Sequence, residues 1–502
     1  MTVITKIIAL VLLTVPAQAQ FCLSGKIDQF HKSTLFVNIP YVFGYSKENN
    51  IPISVNTDGS FDVILPIQKE KFVLLNYNKQ EFCLYMRPNE TLHVFIDSTG
   101  KNIKPESGSL LPENEILTAC NLYEYPWFLQ NHLSEDSAAV LSKESAGSIY
   151  RQFAQPWLNQ TQQKEALVSK STLPERTKQL FIQEIKAYAR CRANEFAWNF
   201  MGNQQLSAFY KLLYGNISPK PVITNPGPMY YMFVRYYNGF LESDAMEKMK
   251  TGNIQLNEPL PYYNISLDSG NVIVKKKGKA YLNWLAVKNT NDAFVAEAFL
   301  AQQLFSAITD KDITIARELL TTLANTYPNS QYHNELENRV DELENILLRN
   351  ANNNNIRIFD GYKNVQSIYT VINSLKGKVV YLDIWGTWCG PCKAELKHAP
   401  ELKAYFKDKD VAFVYLDMDD NEKDTVWKDF IRVNELSGVH LRKNRDEIEA
   451  FWRELLANDP DKTTYYPQYF IFDKKGKLVM TKAKRPSEGP GLYEQIESVL
   501  NQ

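Results

Sequence analysis

Val379-Val380-Tyr381-Leu382-Asp383-Ile384-Trp385-Gly386-Thr387-Trp388-Cys389-Gly390-Pro391-Cys392-Lys393-Ala394-Glu395 is the stretch on which the reading of this 502-residue chain turns. Its first seven residues are apolar except at Asp383. Such a run suits a parallel strand buried on both faces. From Lys393 to Lys407 the pattern favours a helix, and Val411 to Leu416 is a second apolar run, so the segment reads as a βαβ unit. The two cysteines sit three apart, where the strand turns into the helix.

That placement gives the sulfurs different work. At a helix N-terminus the unpaired N–H groups and the macrodipole favour an anion, so Cys389 is expected to have a lowered pKa and to be the nucleophile. Cys392, one turn on, is placed to resolve. The Cys389 thiolate attacks a partner's disulfide, and Cys392 then displaces the reduced product as the internal bond closes. Zinc is the rival reading, but a structural zinc site needs four ligands and usually a second pair. His398, six residues after Cys392, has no such partner in the sequence. A permanent structural disulfide is a further alternative, although so small a loop stabilises little. No metal and no cofactor are expected.

Asp383 is the other residue that needs a reason. A carboxylate in a buried strand costs several kcal/mol unless it is neutralised or paired. It should therefore titrate well above a free Asp. If it lies beneath the resolving sulfur, it is a candidate proton acceptor for Cys392. An edge position open to solvent is the alternative.

Further along, Tyr469–Phe472 and Leu478–Thr481, joined across Asp473-Lys474-Lys475-Gly476, read as an antiparallel hairpin, and Gly491–Leu500 as a closing amphipathic helix. The order β-α-β, then ββα, is that of a thioredoxin-like α/β domain. The stretch Ile384–Glu395 closely resembles the active-site segment of the TlpA/ResA-like thiol-disulfide oxidoreductases, exported relatives of thioredoxin that mostly act as reductants, several in cytochrome c maturation. The resemblance covers Ile356 to Gln502, and the upstream parts look like the amino-terminal extensions of such proteins in Bacteroidetes-type bacteria. It implies Cys389 as nucleophile, Cys392 as resolving thiol, the two forming a redox-active disulfide, and Glu395 as an acid that tunes the thiols. Asp383 matches the buried acid of thioredoxin itself. Pro467, in Tyr465-Tyr466-Pro467-Gln468-Tyr469, matches the cis-proline that faces the active site. Trp388, Tyr466 and Pro467 are the implied substrate-binding residues, with the Tyr466 backbone free to pair with a substrate strand. Two departures stand out: Lys397 occupies a position that is often proline in the family, with Pro400 three residues later, and an amphipathic helix around Ile448–Leu456 looks inserted.

Upstream, residues 20–108 read as an all-β domain of sandwich type. Ile53 and Val55, then Asp58-Gly59, then Phe61, Val63 and Leu65 look like a hairpin; Phe72–Leu75, Phe82–Met86 and Leu92–Ile96 add strands, with Pro88-Asn89 as a turn. Residues 109–350 read as mainly helical. There Ala316, Leu319, Leu320, Leu323 and Tyr327 share one helical face, and Leu336, Val340, Leu343 and Leu347 another, with Pro328-Asn329-Ser330 between. Ser218–Pro261, rich in Pro, Gly and Tyr, looks irregular; its aromatics suit buried packing better than a groove. Asn350 and Asn352–Asn355 form a polar tract that reads as a linker to the domain at 356–502.

The amino terminus sets the compartment. Lys6, the apolar stretch Ile7–Val15 and Ala17-Gln18-Ala19 read as a cleaved export signal over residues 1–19. An uncleaved anchor would need about 20 apolar residues. Phe21 before Cys22 argues against lipidation. The mature chain is thus expected in the periplasm or cell envelope, with peripheral membrane association open to it. Lys plus Arg (56) nearly cancels Asp plus Glu (57), which gives no electrostatic ground for nucleic acid. The composition, 44% hydrophobic and 23% charged, excludes a disordered chain. Six cysteines are too few for a disulfide scaffold, and Cys22, Cys83, Cys120 and Cys191 are scattered singly. The expected activity is reduction of disulfides in exported proteins, with recharging by a membrane thiol donor. The alternatives are a disulfide isomerase or oxidase, or an envelope binding protein with a secondary redox centre.

Overall fold

The computed structural model describes residues 20–502 except 32, 131–140, 142 and 256. The expected export signal at 1–19 lies outside the described residues. The chain divides into two compact units, one ending at Gln302 and one spanning Gln303–Gln502.

Among the described residues of the first unit, eight strands form two sheets. These are β1 (Phe21–Ile27), β2 (Leu35–Asn38), β3 (Asn50–Ile53), β4 (Ser60–Leu65), β5 (Lys71–Tyr77), β6 (Gln80–Met86), β7 (Thr91–Ile96) and β8 (Ile103–Ser107). The sheet orders are β4-β1-β7-β8 and β3-β2-β5-β6. Alternate residues of both, among them Leu23, Val37, Val73 and Val94, meet in one apolar core. The expected hairpin across Asp58-Gly59 does not form. β3 pairs with β2 and β4 with β1, in different sheets. The turn itself is present, with Gly59 at φ +87° and its N–H donating to the Asn56 carbonyl at 2.9 Å. An ideal Cβ on Gly59 would stand 2.2 Å from the Ile27 carbonyl oxygen. A period-two pattern on both sides of a turn demands one apolar face from each strand, and strands in opposite sheets of one core meet that demand as well as paired ones do.

Seven longer helices follow: α1 (Leu111–Cys120), α2 (Gln155–Lys170), α3 (Glu175–Phe200), α4 (Asn203–Tyr214), α5 (Pro228–Lys250), α6 (Leu267–Thr290) and α7 (Ala293–Thr309), within which the division between units falls. The interval read as irregular holds α5. Pro228 suits the first turn of a helix, and the buried Glu184 carboxylate accepts the N–H groups of Met229 (2.8 Å) and Tyr230 (3.3 Å). A distant side chain thus satisfies first-turn donors that the local sequence leaves open. Tyr230, Tyr231 and Phe233 are buried, so these aromatics pack rather than line a groove.

The second unit holds α8 (Ile313–Thr326), α9 (His333–Arg349), β9 (Ile356–Ile358), α10 (Ile368–Asn373), β10 (Val379–Trp385), α11 (Gly390–Leu396), α12 (Ala399–Tyr405), β11 (Val411–Asp417), α13 (Asp424–Val433), β12 (Gly438–Arg442), α14 (Ile448–Leu455), β13 (Gln468–Phe472), β14 (Leu478–Met480) and α15 (Pro490–Leu500). Its sheet runs β14-β13-β10-β11-β12-β9. β10 is parallel to β11 and antiparallel to β13, so all seven of its residues are buried. One face packs Leu382, Ile384, Val414 and Leu416 on Trp427, Ile431 and Phe451; the other packs Val379, Tyr381 and Ile471 on Leu402 and Ile496. This is the expected thioredoxin-like order.

Three expectations are corrected here. Lys393–Lys407 is two helices, since Pro400 lacks the N–H needed to continue α11 and instead enters the first turn of α12. The α8–α9 hairpin, assigned by sequence to the middle region, packs on α13 of the second unit. Arg317 ties it there, hydrogen-bonded to Glu344 (2.6 Å) and 3.7 Å from Asp429. The asparagine tract is docked rather than loose: Asn350 is buried, donates to Ile346 (3.1 Å) and Glu435 (3.2 Å), and accepts from Asn353 (2.8 Å). A tract with nothing apolar to bury can still be held by its amides.

Candidate active site

The β10–α11 junction carries the two cysteines, and here they form a disulfide with Cα atoms 5.2 Å apart. Cys389 is the N-cap residue of α11, and its Sγ accepts the Cys392 N–H at 3.2 Å. A sulfur that caps a helix is where negative charge is best tolerated once the bond opens. Cys389 is 4% exposed and Cys392 1%, so the edge of the pair that meets solvent belongs to Cys389. Cys22, Cys83, Cys120 and Cys191 are free thiols.

The loop before Cys389 is pinned from β11. The Thr387 N–H donates to Asp419 Oδ1 at 3.1 Å and the Thr387 hydroxyl donates to Asp419 Oδ2. Asp419 is itself buried, with its N–H donating to Asp417 Oδ1 at 3.0 Å. Burial raises the carboxyl pKa of both acids, most strongly for Asp417, where the Asp419 charge adds to it. Trp388 stands out at 52% exposed, with Tyr466 edge-on at 5.7 Å and the Arg445 guanidinium 5.7 Å from its ring. Tyr466-Pro467 is a cis peptide, and the Trp452 indole N–H donates to the Tyr466 hydroxyl at 3.3 Å.

Asp383 lies mid-strand between Tyr415 of β11 and Tyr469 of β13, 2% exposed, with Oδ1 unpartnered. The edge alternative does not apply. Burial pushes its carboxyl pKa well up, the Glu395 charge adds to this, and Lys403 opposes it. Lys403, on α12, donates to the Ser437 carbonyl and sits 4.7 Å from the Tyr415 ring. Its pKa is pushed down to about 7 by burial, with Asp383 acting the other way. Glu395 accepts from both the N–H and the hydroxyl of Ser487, each at 3.0 Å, with Arg485 at 4.0 Å.

Asp383 and Glu395 thus act on one another electrostatically, and Trp388 meets Tyr466. Sequence reasoning missed Lys403, Ser487 and Asp419. Lys403 had a signal: it falls on the same helical face as Ala399 and Phe406, which are buried. Asp419 stands in the acidic run Asp417-Met418-Asp419-Asp420 that ends β11. Ser487 had none.

Residues 363–496 match the Redoxin family. Over 130 residues the chain is 32% identical to the thiol-disulfide oxidoreductase ResA of Bacillus thuringiensis subsp. konkukian and 35% identical to that of Bacillus anthracis. In each case 26% of this chain and 65% of the relative are covered, so the chain spans somewhat less than two thirds of these relatives' length. Among solved structures, the thioredoxin domain of a thiol-disulfide oxidoreductase from Bacteroides vulgatus is 25% identical, covering 26% of this chain and 84% of that one with a TM-score of 0.21. The carboxy-terminal region of this chain is thus TlpA/ResA-like, similar to the Redoxin family and to ResA-type thiol-disulfide oxidoreductases.

Proposed function

We propose that this chain, through its TlpA/ResA-like domain, is an exported thiol-disulfide oxidoreductase that reduces disulfides of other exported proteins. The observation that carries the reading is the Cys389-Gly390-Pro391-Cys392 pair, with Cys389 capping α11 and receiving the Cys392 N–H at 3.2 Å. In the reduced protein the Cys389 thiolate attacks one sulfur of the substrate disulfide and expels the other as a thiolate. Cys392 then gives up its proton and attacks the Cys389 sulfur. The substrate leaves with both sulfurs reduced, and the two electrons it gained are those lost as the Cys389–Cys392 bond closes. A membrane thiol protein restores the dithiol by the reverse exchange.

Asp383 takes the Cys392 proton in this scheme. Burial raises its carboxyl pKa, which makes it a better proton acceptor than an ordinary Asp. Glu395 tunes the pair through its charge on Asp383. Trp388, Tyr466 and Pro467 form the face on which the substrate rests. The signal-like sequence at 1–19 supports a periplasmic location in this reading. Among the described residues no helix is long and apolar enough to cross a membrane.

Turnover of insulin, followed by precipitation of its freed B chain with dithiothreitol as reductant, tests the reading. The parent chain should accelerate precipitation well above dithiothreitol alone, and Cys389→Ser should abolish the acceleration. A folded parent with no effect would refute it.

A further inference from the structure

A cavity of about 330 Å³ opens beside Trp388. The active-site loop forms one wall through Thr387 and Trp388, and Met418, just after β11, forms another. The third wall lies outside the βαβ core: it is the first turn of α8, through Thr314 and Ile315. That turn is held in place. Asp312 caps α8 by accepting the Ile315 N–H at 3.2 Å, and Arg317, one turn on, bridges Glu344 of α9 and Asp429 of α13.

We propose that the first turn of α8 is a specificity-determining wall of the substrate site, and that the cavity it closes receives an uncharged side chain of the polypeptide flanking the disulfide that Cys389 attacks. The inference rests on the function proposed above. Trp388 directly precedes the nucleophile, so a disulfide that reaches Cys389 carries its neighbouring residues past this opening. The volume lies at the small end of the roughly 300–1,000 Å³ of ligand pockets, which suits a side chain rather than a free cofactor. Ile315, Met418, Val426 and the Trp388 ring supply apolar contact. The lining mixes both signs, with Asp312, Asp419 and Asp420 beside Lys423 and Arg445, and the Asp419 carboxylate accepts from Thr387. A charged side chain of either sign would lose hydration there and meet groups of its own sign in the lining.

The test uses the full chain with Cys392→Ser, so that a single attack by Cys389 is timed. Two disulfides are offered: insulin, which brings flanking polypeptide, and 2-hydroxyethyl disulfide, which brings none. Thr314→Arg fills the cavity with a long charged side chain at a position where arginine is a good helix former. It should lower the ratio of the insulin rate to the small-disulfide rate about tenfold, the scale of one lost pocket contact. A pair of short peptide disulfides with Leu or Asp beside the cysteine gives the second readout: the parent favours Leu, and Thr314→Arg loses the preference. An unchanged ratio, or a parent that does not distinguish the peptides, overturns the inference and leaves the proposed function standing. A parent that attacks neither insulin nor 2-hydroxyethyl disulfide overturns the proposed function, and this inference with it.

Discussion

Two residues at the junction make opposite demands on their surroundings. Cys389 needs help to become an anion and finds it at the cap of α11; Asp383 is denied such help, and burial pushes its carboxyl pKa up. The first difference predicts asymmetric trapping. If Cys389 attacks and Cys392 resolves, as proposed, Cys392→Ser should accumulate mixed disulfides with disulfide-containing proteins, whereas Cys389→Ser should trap few. Mass spectrometry of adducts decides this, and equal trapping would contradict the assignment. The second difference predicts a pH dependence. Because the folded pKa of Asp383 is raised, the native state binds more protons than the unfolded chain once pH exceeds the ordinary Asp value of about 3.9, and its stability falls as pH rises. Asp383→Asn should therefore stabilise the protein at pH 7, with the gain vanishing below about pH 4, while mixed-disulfide decay slows. Urea unfolding at the two pH values and stopped-flow decay measure both. Decay like the parent's at every pH would make Asp383 a structural residue only. His440 carries the opposite sign. Buried against Tyr415 with Nε2 2.6 Å from the Leu436 carbonyl, it is pushed down to about 3, chiefly by burial. The unfolded chain takes up its proton near pH 6.5 and the folded one does not, so stability is lost as pH falls from there toward 3. His440→Gln should flatten the stability profile in that range, as thermal unfolding across pH would show.

At the scale of elements, what could be read from the sequence was what is local. The apolar run of β10, the cysteine spacing and the breadth of α14 are set by residues within a few positions of one another, and each lies where the periodicity puts it. Apart from the local break at Pro400, the errors share a cause: a distant partner decided the outcome. Glu184 caps α5, the sheet assignment of β3 and β4 depends on β2 and β1, and Glu435 holds the asparagine tract. The same holds in the site, where Ser487 reaches Glu395 across 92 positions. The α8–α9 hairpin yields a prediction of its own. Since it covers part of α13, a fragment starting at Ile356 should be less stable than one starting at Gln303. The expected difference is roughly 2 kcal/mol, the scale of one or two large side chains losing cover. Urea midpoints of the two fragments measure it, and equal values would mean that the hairpin contributes nothing to the fold of the sheet.

At the scale of the whole molecule, the proposed chemistry falls among the described residues of the second unit. The first unit has free thiols at Cys22, Cys83, Cys120 and Cys191, three of which are pushed up by burial and so kept from reacting as thiolates. The second holds the Cys389–Cys392 disulfide, the buried Asp383 with its raised pKa and the exposed Trp388. The central claim is that this pair works as a reductant. Its most direct test is equilibration of the full chain in glutathione or dithiothreitol buffers, with the Cys389–Cys392 couple read by alkylation and mass spectrometry. The account predicts a potential close to the roughly −270 mV of thioredoxin, and a value near the roughly −120 mV of DsbA would contradict it.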